Sequence, residues 1–346
     1  MARKILILGA SYGSLLGTKL AMAGHDVALV CRAETAQLIN SEGTIVRIKL
    51  KGEESHRAIS SKDLPGSVTA TTPEDADPSA YDLVGLAMQE PQYAVDAIKT
   101  LMGKVAAAKV PCLSIMNMPP LAYLKRIDGI DADGLRGAYT DAEVWDGFGP
   151  GLISLCSPDP QAFRPPDEAP NLLHVGLPTN FKAAAFENDA HTALLKELEA
   201  DIAAVTLDGQ DVPVKLRVYD SLFVPLAKWS MLLTGNYRCI LDEGVQPIKE
   251  AVHGDAALSQ SIYAHVDALA RKLGADPADQ VPFEKYAKAA ESLLAPSSAA
   301  RAVAAGATRI ERVDRVVQAV GNGAGLANPA IDKIVATVDA ALKRNG

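Results

Sequence analysis

The sequence predicts a doubly wound α/β sheet followed by an all-helical domain, and three observations carry that expectation. A strand, glycine turn, helix and second strand open the chain; further apolar strands recur through the first half; after Pro213 only helix-length runs follow. With 346 residues the chain can hold two cores at roughly 150 residues per domain. The expected domains are 1–213 and 214–346.

Lys4 to Leu8 is a short apolar run ending at Gly9, and from Gly13 through Ala23 apolar positions return at helical spacing until Gly24 stops them. Residues 25–32 supply a second buried strand, so the opening is a βαβ unit with parallel strands. Candidate strands follow at 45–50, 82–87 and 110–115, with 91–102 helical. Residues 141–171 then dissolve into Trp145, Phe148, Gly147, Gly149, Gly151 and six prolines from Pro150 to Pro170, which reads as a loop suited to a lid over a bulky substrate. Residues 172–176 suggest one more strand and 191–205 a helix, before Asp208 to Pro213 punctuates the change of texture. The runs 219–233, 257–273, 283–294 and 310–320 are helix-length and rich in Ala, Leu and Val.

Composition narrows the function. Hydrophobic residues make up 48% and charged residues 22%, which excludes disordered, collagen-like and coiled-coil classes. A net charge of -8 has the wrong sign for a phosphate-backbone binder, so no nucleic-acid partner is expected. Cys31, Cys112, Cys156 and Cys239 show no CxxC spacing and read as reduced residues, Cys112 and Met116 being core by default. The N-terminal apolar run is too short for a signal or a membrane span, so a cytoplasmic protein with no membrane partner is expected. The six histidines form no HExxH array, so no catalytic metal is expected.

The turn from Gly9 to Gly17 sits where a dinucleotide fingerprint belongs, although shortened relative to GxGxxG. Gly9, Ser11, Tyr12 and Gly13 are candidates to hold a pyrophosphate; the alternative is a bare turn with Gly13 and Gly17 kept for helix packing. Arg32 closes the second strand, where a cation suits the 2′-phosphate of NADP, against a merely solvent-facing arginine with Glu34 as the acidic counter-candidate. Lys228 lies in a strongly apolar stretch, where a buried amine can give or take a proton and a snorkelling lysine does neither. Asn236 falls two helical turns later. Asn117 ends the 110–115 strand and suits a cofactor ribose or substrate group, or a plain turn before Pro119. Ser297 and Ser298 read as a helix cap or a carboxylate site, and Arg309, Glu311, Arg312 and Asp314 as a mixed, solvated charged face.

In order and spacing these residues resemble the ketopantoate reductase (2-dehydropantoate 2-reductase) family: 4–10, then 24–27 leading to Arg32, then 82–84 through Gln92, then Asn117, then Lys228 with Asn236, then Ser297, Ser298, Gly306 and Thr308. The resemblance implies a Rossmann-like domain followed by a helical one, NADPH as cofactor, and a lysine acting as general acid when hydride reduces a 2-oxo acid. Lys228 matches that lysine, Asn117 the asparagine near the nicotinamide ribose, Gln92 a cofactor-side glutamine, and Asn236 the second asparagine after the lysine. Departures are the shortened turn, Gln89 at a frequent lysine on the cofactor side, Met118 at a glycine, Leu232 at the first asparagine, and Arg309 at the catalytic glutamate with Glu311 two residues on. Together they imply an NADP-dependent oxidoreductase for a small anionic carbonyl compound, with Lys228, Asn236 and Asn117 catalytic and Ser297, Ser298, Arg309 and Glu311 on the substrate. An opine-type or imine-reducing dehydrogenase and a redox-silent nucleotide-binding protein stay open as alternatives, as does a homodimer.

Overall fold

The computed structural model describes all 346 residues, Pro150 by its backbone alone. They group into two compact units, the first formed by Met1–Met88, Gln92–Ala122 and Glu143–Asp220, the second by Gln89–Pro91, Tyr123–Ala142 and Ser221–Gly346.

From Met1 to Asp220 the chain runs β1 (Lys4–Leu8), α1 (Gly13–Met22), β2 (Asp26–Val30), α2 (Ala33–Glu42), β3 (Ile45–Ile48), β4 (Arg57–Ser60), β5 (Val68–Thr71), β6 (Leu83–Leu86), α3 (Asp96–Ala108), β7 (Cys112–Ile115), α4 (Leu121–Leu124), β8 (Ile153–Ser157), β9 (Gln161–Phe163), β10 (Leu172–Leu177), β11 (Phe181–Ala184), α5 (Asp189–Ala204), β12 (Thr206–Leu207), β13 (Gln210–Asp211) and β14 (Leu216–Tyr219). Eight strands form the main sheet in the order β14-β11-β8-β7-β6-β1-β2-β5, parallel throughout except between β8 and β11. This is the doubly wound α/β sheet that the sequence predicts. Ile5 to Leu8 are fully buried, as expected of a central parallel strand covered on both faces. Helix α1 packs closely on β1 and β2: a Cβ on Gly13 would meet Ile7 Cγ2 at 2.5 Å and one on Gly17 would meet Val27 Cγ1 at 3.3 Å.

Several expectations are corrected. β3 and β10 leave the main sheet and build a smaller one, β4-β3-β10-β9. Residues 141–171 are not a lid: β8 sits inside the main sheet between β7 and β11. Trp145 and Phe148 are core side chains, 2% and 5% exposed, and Trp145 packs 5.3 Å from Tyr93 and 6.3 Å from Phe148, ring to ring. Serines at 154 and 157 interrupt the apolar run of β8, and the buried Ser154 hydroxyl is satisfied by the Ala184 carbonyl at 2.5 Å. A strand also follows Pro213, because β14 pairs in parallel with β11 and alternates inward Leu216 with outward Arg217 as an edge strand does.

The second unit is all-helical: α6 (Lys228–Met231), α7 (Ile248–His253), α8 (Ala256–Lys272), α9 (Phe283–Ala290), α10 (Ser298–Ala304), α11 (Val313–Gly323) and α12 (Pro329–Asn345), with short 3₁₀ turns. The single helix expected over 219–233 is instead a 3₁₀ turn at Pro225–Ala227, α6, and a π-helical turn at Leu232–Asn236. Tyr286 of α9 is the wedge. Its hydroxyl donates to the Met231 carbonyl at 3.1 Å, and a Cβ on Gly235 would lie 2.0 Å from that hydroxyl. With Met231 satisfied from outside, the Tyr237 N–H bonds to Leu232 O, one residue wider than an α-helix. The charged face expected in solvent is also buried: Asp314 is 0%, Arg312 7% and Glu311 9% exposed. Arg312 makes two bonds to Asp314 at 2.9 and 2.8 Å and reaches Asp339 at 2.5 Å, so Arg312 and Asp314 each have the charged partner that burial demands. All four cysteines are free thiols, and no described helix is long and apolar enough to cross a membrane.

Candidate active site

In an open parallel sheet, ligands collect past the carboxyl ends of the strands, where the strand order reverses. Here β1 is that point, with β2 on one side and β6, much later in the chain, on the other. Gly9 follows β1 directly. Its N–H bonds to Val30 O at 3.1 Å and the neighbouring Leu8 carbonyl accepts from Ala87 at 2.8 Å, so three strand ends meet at this turn. Gly9 has φ +105°, and a Cβ there would come within 2.7 Å of the Ala87 carbonyl, so only glycine fits.

The turn then enters α1. Gly13 N–H bonds back to Gly9 O at 3.1 Å, while among the described residues the N–H groups of Ser11 and Tyr12 are not taken up by any group of the chain. Unsatisfied N–H groups at the start of a ten-residue helix suit an anion such as a pyrophosphate. The Tyr12 side chain is drawn aside: its hydroxyl donates to Pro160 O at 2.7 Å and its ring stands edge-on to Phe181 at 5.9 Å. Ser11 is exposed, its carbonyl accepting the Ser14 hydroxyl at 2.8 Å. The residues present therefore fit a dinucleotide. Gly13 serves packing against Ile7, as the alternative sequence reading had it, while Gly9 and the open N–H groups carry the phosphate reading.

Arg32 is exposed and N-caps α2 two residues past β2, and Asn117 is half-buried two residues past β7. Both thus lie at the same edge of the sheet as the glycine turn. Gln92, in the first unit, is exposed; Gln89 is also exposed and groups with the second unit. One cation near Arg32 was not foreseen: the half-buried Arg164 lies within electrostatic reach of Arg32 and Cys31. Only the pairing of β9 brings it there, so no local motif marks it.

In the second unit Lys228 is half-buried at the head of α6, which leads into the π-helical turn ending at Asn236. Such turns recur at functional sites because they displace side chains from helical register. The end of this turn is held from two directions. Ser297, 2% exposed and the N-cap of α10, donates its hydroxyl to Asn236 O at 2.7 Å. The Tyr237 hydroxyl donates to Glu311 O at 2.6 Å and accepts from Val313 N at 3.0 Å. Asn236, Ser297 and Glu311 are thereby brought together, with Ser298 exposed on α10.

A carboxylate that the sequence reading passed over joins them. Glu90 is 1% exposed, accepts from the Thr140 N–H and hydroxyl at 2.9 Å each, and its own N–H points to Glu311 Oε1 at 3.4 Å. Burial pushes the Glu90 carboxyl above its ordinary range, opposed by Thr140, Asp141 and the Arg309 guanidinium. Arg309 itself is exposed, so Glu311 and not Arg309 is the side chain built into the fold.

Residues 5–117 match the ketopantoate reductase PanE/ApbA family. The matched segment contains β1, the glycine turn, Arg32, Gln89, Gln92 and Asn117, so the N-terminal part of the resemblance read from the sequence is borne out, in a divergent chain. Among solved structures, the chain is similar to 2-dehydropantoate 2-reductase from Methylococcus capsulatus, with 15% identity and a TM-score of 0.70 over 99% of this chain and 97% of that one. It is similar to a PanE/ApbA family ketopantoate reductase from Ralstonia eutropha JMP134, at 20% identity and a TM-score of 0.62 over 99% of both. D-mandelate dehydrogenase in complex with NADH and anilino(oxo)acetate shares the fold at 16% identity, with a TM-score of 0.63 over 99% of both chains. No curated protein matches by sequence.

Proposed function

We propose that this chain is a nicotinamide-nucleotide-dependent reductase of a 2-oxo acid, with residues 1–213 binding the dinucleotide and 214–346 supplying the catalytic residues. The observation that carries the reading is the glycine turn at the reversal of strand order, with N–H groups of Ser11 and Tyr12 left open, in a fold shared end to end with reductases of this class. The open N–H groups of Ser11 and Tyr12, at the turn that Gly9 and Gly13 shape, hold the pyrophosphate, Arg32 meets the 2′-phosphate of NADP, and Asn117 and Gln92 orient the ribose and nicotinamide end. When bound, the reduced nicotinamide supplies the hydride.

The chain's own work is the proton and the orientation. The Lys228 ammonium donates to the carbonyl oxygen as it gains negative charge, and Asn236, fixed by Ser297, orients the substrate. Arg309, exposed and cationic, meets the carboxylate of the 2-oxo acid, and Glu311 accepts from a polar group on its side chain. With Trp145 and Phe148 in the core, nothing in the 141–171 segment argues for a bulky aromatic substrate.

The test is a fluorescence titration of the full chain with NADPH and NADH, followed by turnover on ketopantoate, phenylglyoxylate and a panel of smaller 2-oxo acids. Binding of a reduced dinucleotide with turnover on at least one 2-oxo acid is expected. A protein that binds neither dinucleotide, or that reduces only imines, overturns the reading.

A further inference from the structure

Arg164 follows β9, and its surroundings are unusual for a half-buried cation. The segment that carries it is fastened to the glycine turn by the Tyr12 hydroxyl on Pro160 O and to the small sheet by Phe163, which pairs with His174 and packs 5.2 Å from its ring. The titratable groups facing Arg164 are another arginine, Arg32, and the Cys31 thiol, which burial keeps neutral. Among the described residues no carboxylate pairs with Arg164. Of the nearby acids in sequence, Glu168 pairs with Arg47 at 2.5 Å and Asp159 with Lys182 at 3.1 Å, while Asp167 is exposed. Burial, and after it Arg32, lower the Arg164 guanidinium from its ordinary value, so holding two cations here is unfavourable until an anion arrives.

We infer that Arg164, from a segment far along the chain, closes with Arg32 a two-arginine clamp on the phosphate monoester at the ribose 2′ position of the dinucleotide. The inference rests on the dinucleotide reading and deepens it by assigning a second specificity-determining residue. A phosphate monoester has three oxygens and about two negative charges at neutral pH, enough to accept from two guanidinium forks at once. A ribose with a free 2′-hydroxyl offers neither.

The experiment titrates the full chain and its Arg164→Met and Arg164→Lys variants with NADPH, NADH, adenosine 2′-monophosphate and adenosine 5′-monophosphate, reading equilibrium binding at fixed low salt. Arg164→Met is expected to weaken NADPH and adenosine 2′-monophosphate by about tenfold or more, the scale of a lost charge-assisted hydrogen bond, with NADH and adenosine 5′-monophosphate changed less than about twofold. Arg164→Lys, keeping the charge without the fork, falls between. Unchanged NADPH affinity in Arg164→Met, or equal losses for NADPH and NADH while the fold is intact by circular dichroism, overturns the clamp and leaves the dinucleotide reading standing. An unaltered chain that binds neither dinucleotide removes both.

Discussion

A single ammonium at the head of α6 carries the proposed proton transfer, and a positioned general acid contributes about 10² to 10⁴ in rate. Lys228→Ala should therefore lower kcat by that order on the best 2-oxo acid, with cofactor affinity within about twofold; an unaffected kcat would move the proton donor elsewhere. On the cofactor side, Arg32→Ala should weaken NADPH by about 1 to 3 kcal/mol and spare NADH, as read by paired titrations, and equal losses would sink the 2′-phosphate role. Lys228, Asn236, Arg32 and Ser297 were legible as candidates because each stands at a recognisable place in the chain: an apolar run, a strand end, a helix start. Glu90 and Arg164 were not. Their roles depend on Thr140 and on Arg32, partners 50 and 132 residues away along the chain, and no local pattern announces a carboxylate or guanidinium that only tertiary structure buries. Arg309 and Glu311 show the same limit at close range, since spacing alone could not say which of the two turns inward.

At the scale of elements, the π-helical turn is the feature with the most direct test. Gly235 leaves room for the Tyr286 hydroxyl that takes the Met231 carbonyl, so Gly235→Ala forces the two apart. The expected cost is about 1 to 3 kcal/mol in urea unfolding, together with a loss of kcat as Asn236 is displaced. Tyr286→Phe removes the hydroxyl and should make Gly235→Ala less costly in the double variant than in the single; strict additivity would mean that the wedge does not set the turn. The sequence showed β1, α1 and β2 within a residue or two because their apolar periodicity is uninterrupted and glycines bound them. It hid β8, whose serines break the apolar run, and β14, whose outward Arg217 makes an edge strand look like a polar linker. It also read the 219–233 stretch as one helix, since composition cannot report a wedge supplied from α9.

For the whole molecule, the buried Lys19 of α1 sets a dependence of stability on pH. It is 1% exposed, donates to Val212 O at 3.1 Å, and burial first, then Lys215, lowers its pKa to about 7 against the pull of Asp211. In the unfolded chain a lysine keeps its proton to about 10.4, so between about 7 and that value the unfolded state binds more protons and stability rises with pH. The urea midpoint should be higher at pH 9 than at pH 7, and Lys19→Met should raise the pH 7 midpoint and flatten the slope; an unchanged slope would place the titration in other groups. The two-part plan was legible from the change of texture near Pro213, while the return of residues 89–91 and 123–142 to the helical unit was not, since those short segments carry no helical signature of that unit. The strand order also bears on how the chain is made. Each strand of the main sheet, in order of synthesis, joins an edge already present: β2 and β5 on one flank of β1, then β6, β7, β8, β11 and β14 on the other. A chain leaving the ribosome can thus lay down this sheet outward from its first strand without prising apart an earlier pair. In the small sheet β9 differs, for it is translated before β10, the strand on which it must lie, so Arg164 reaches Arg32 only after the next strand has emerged.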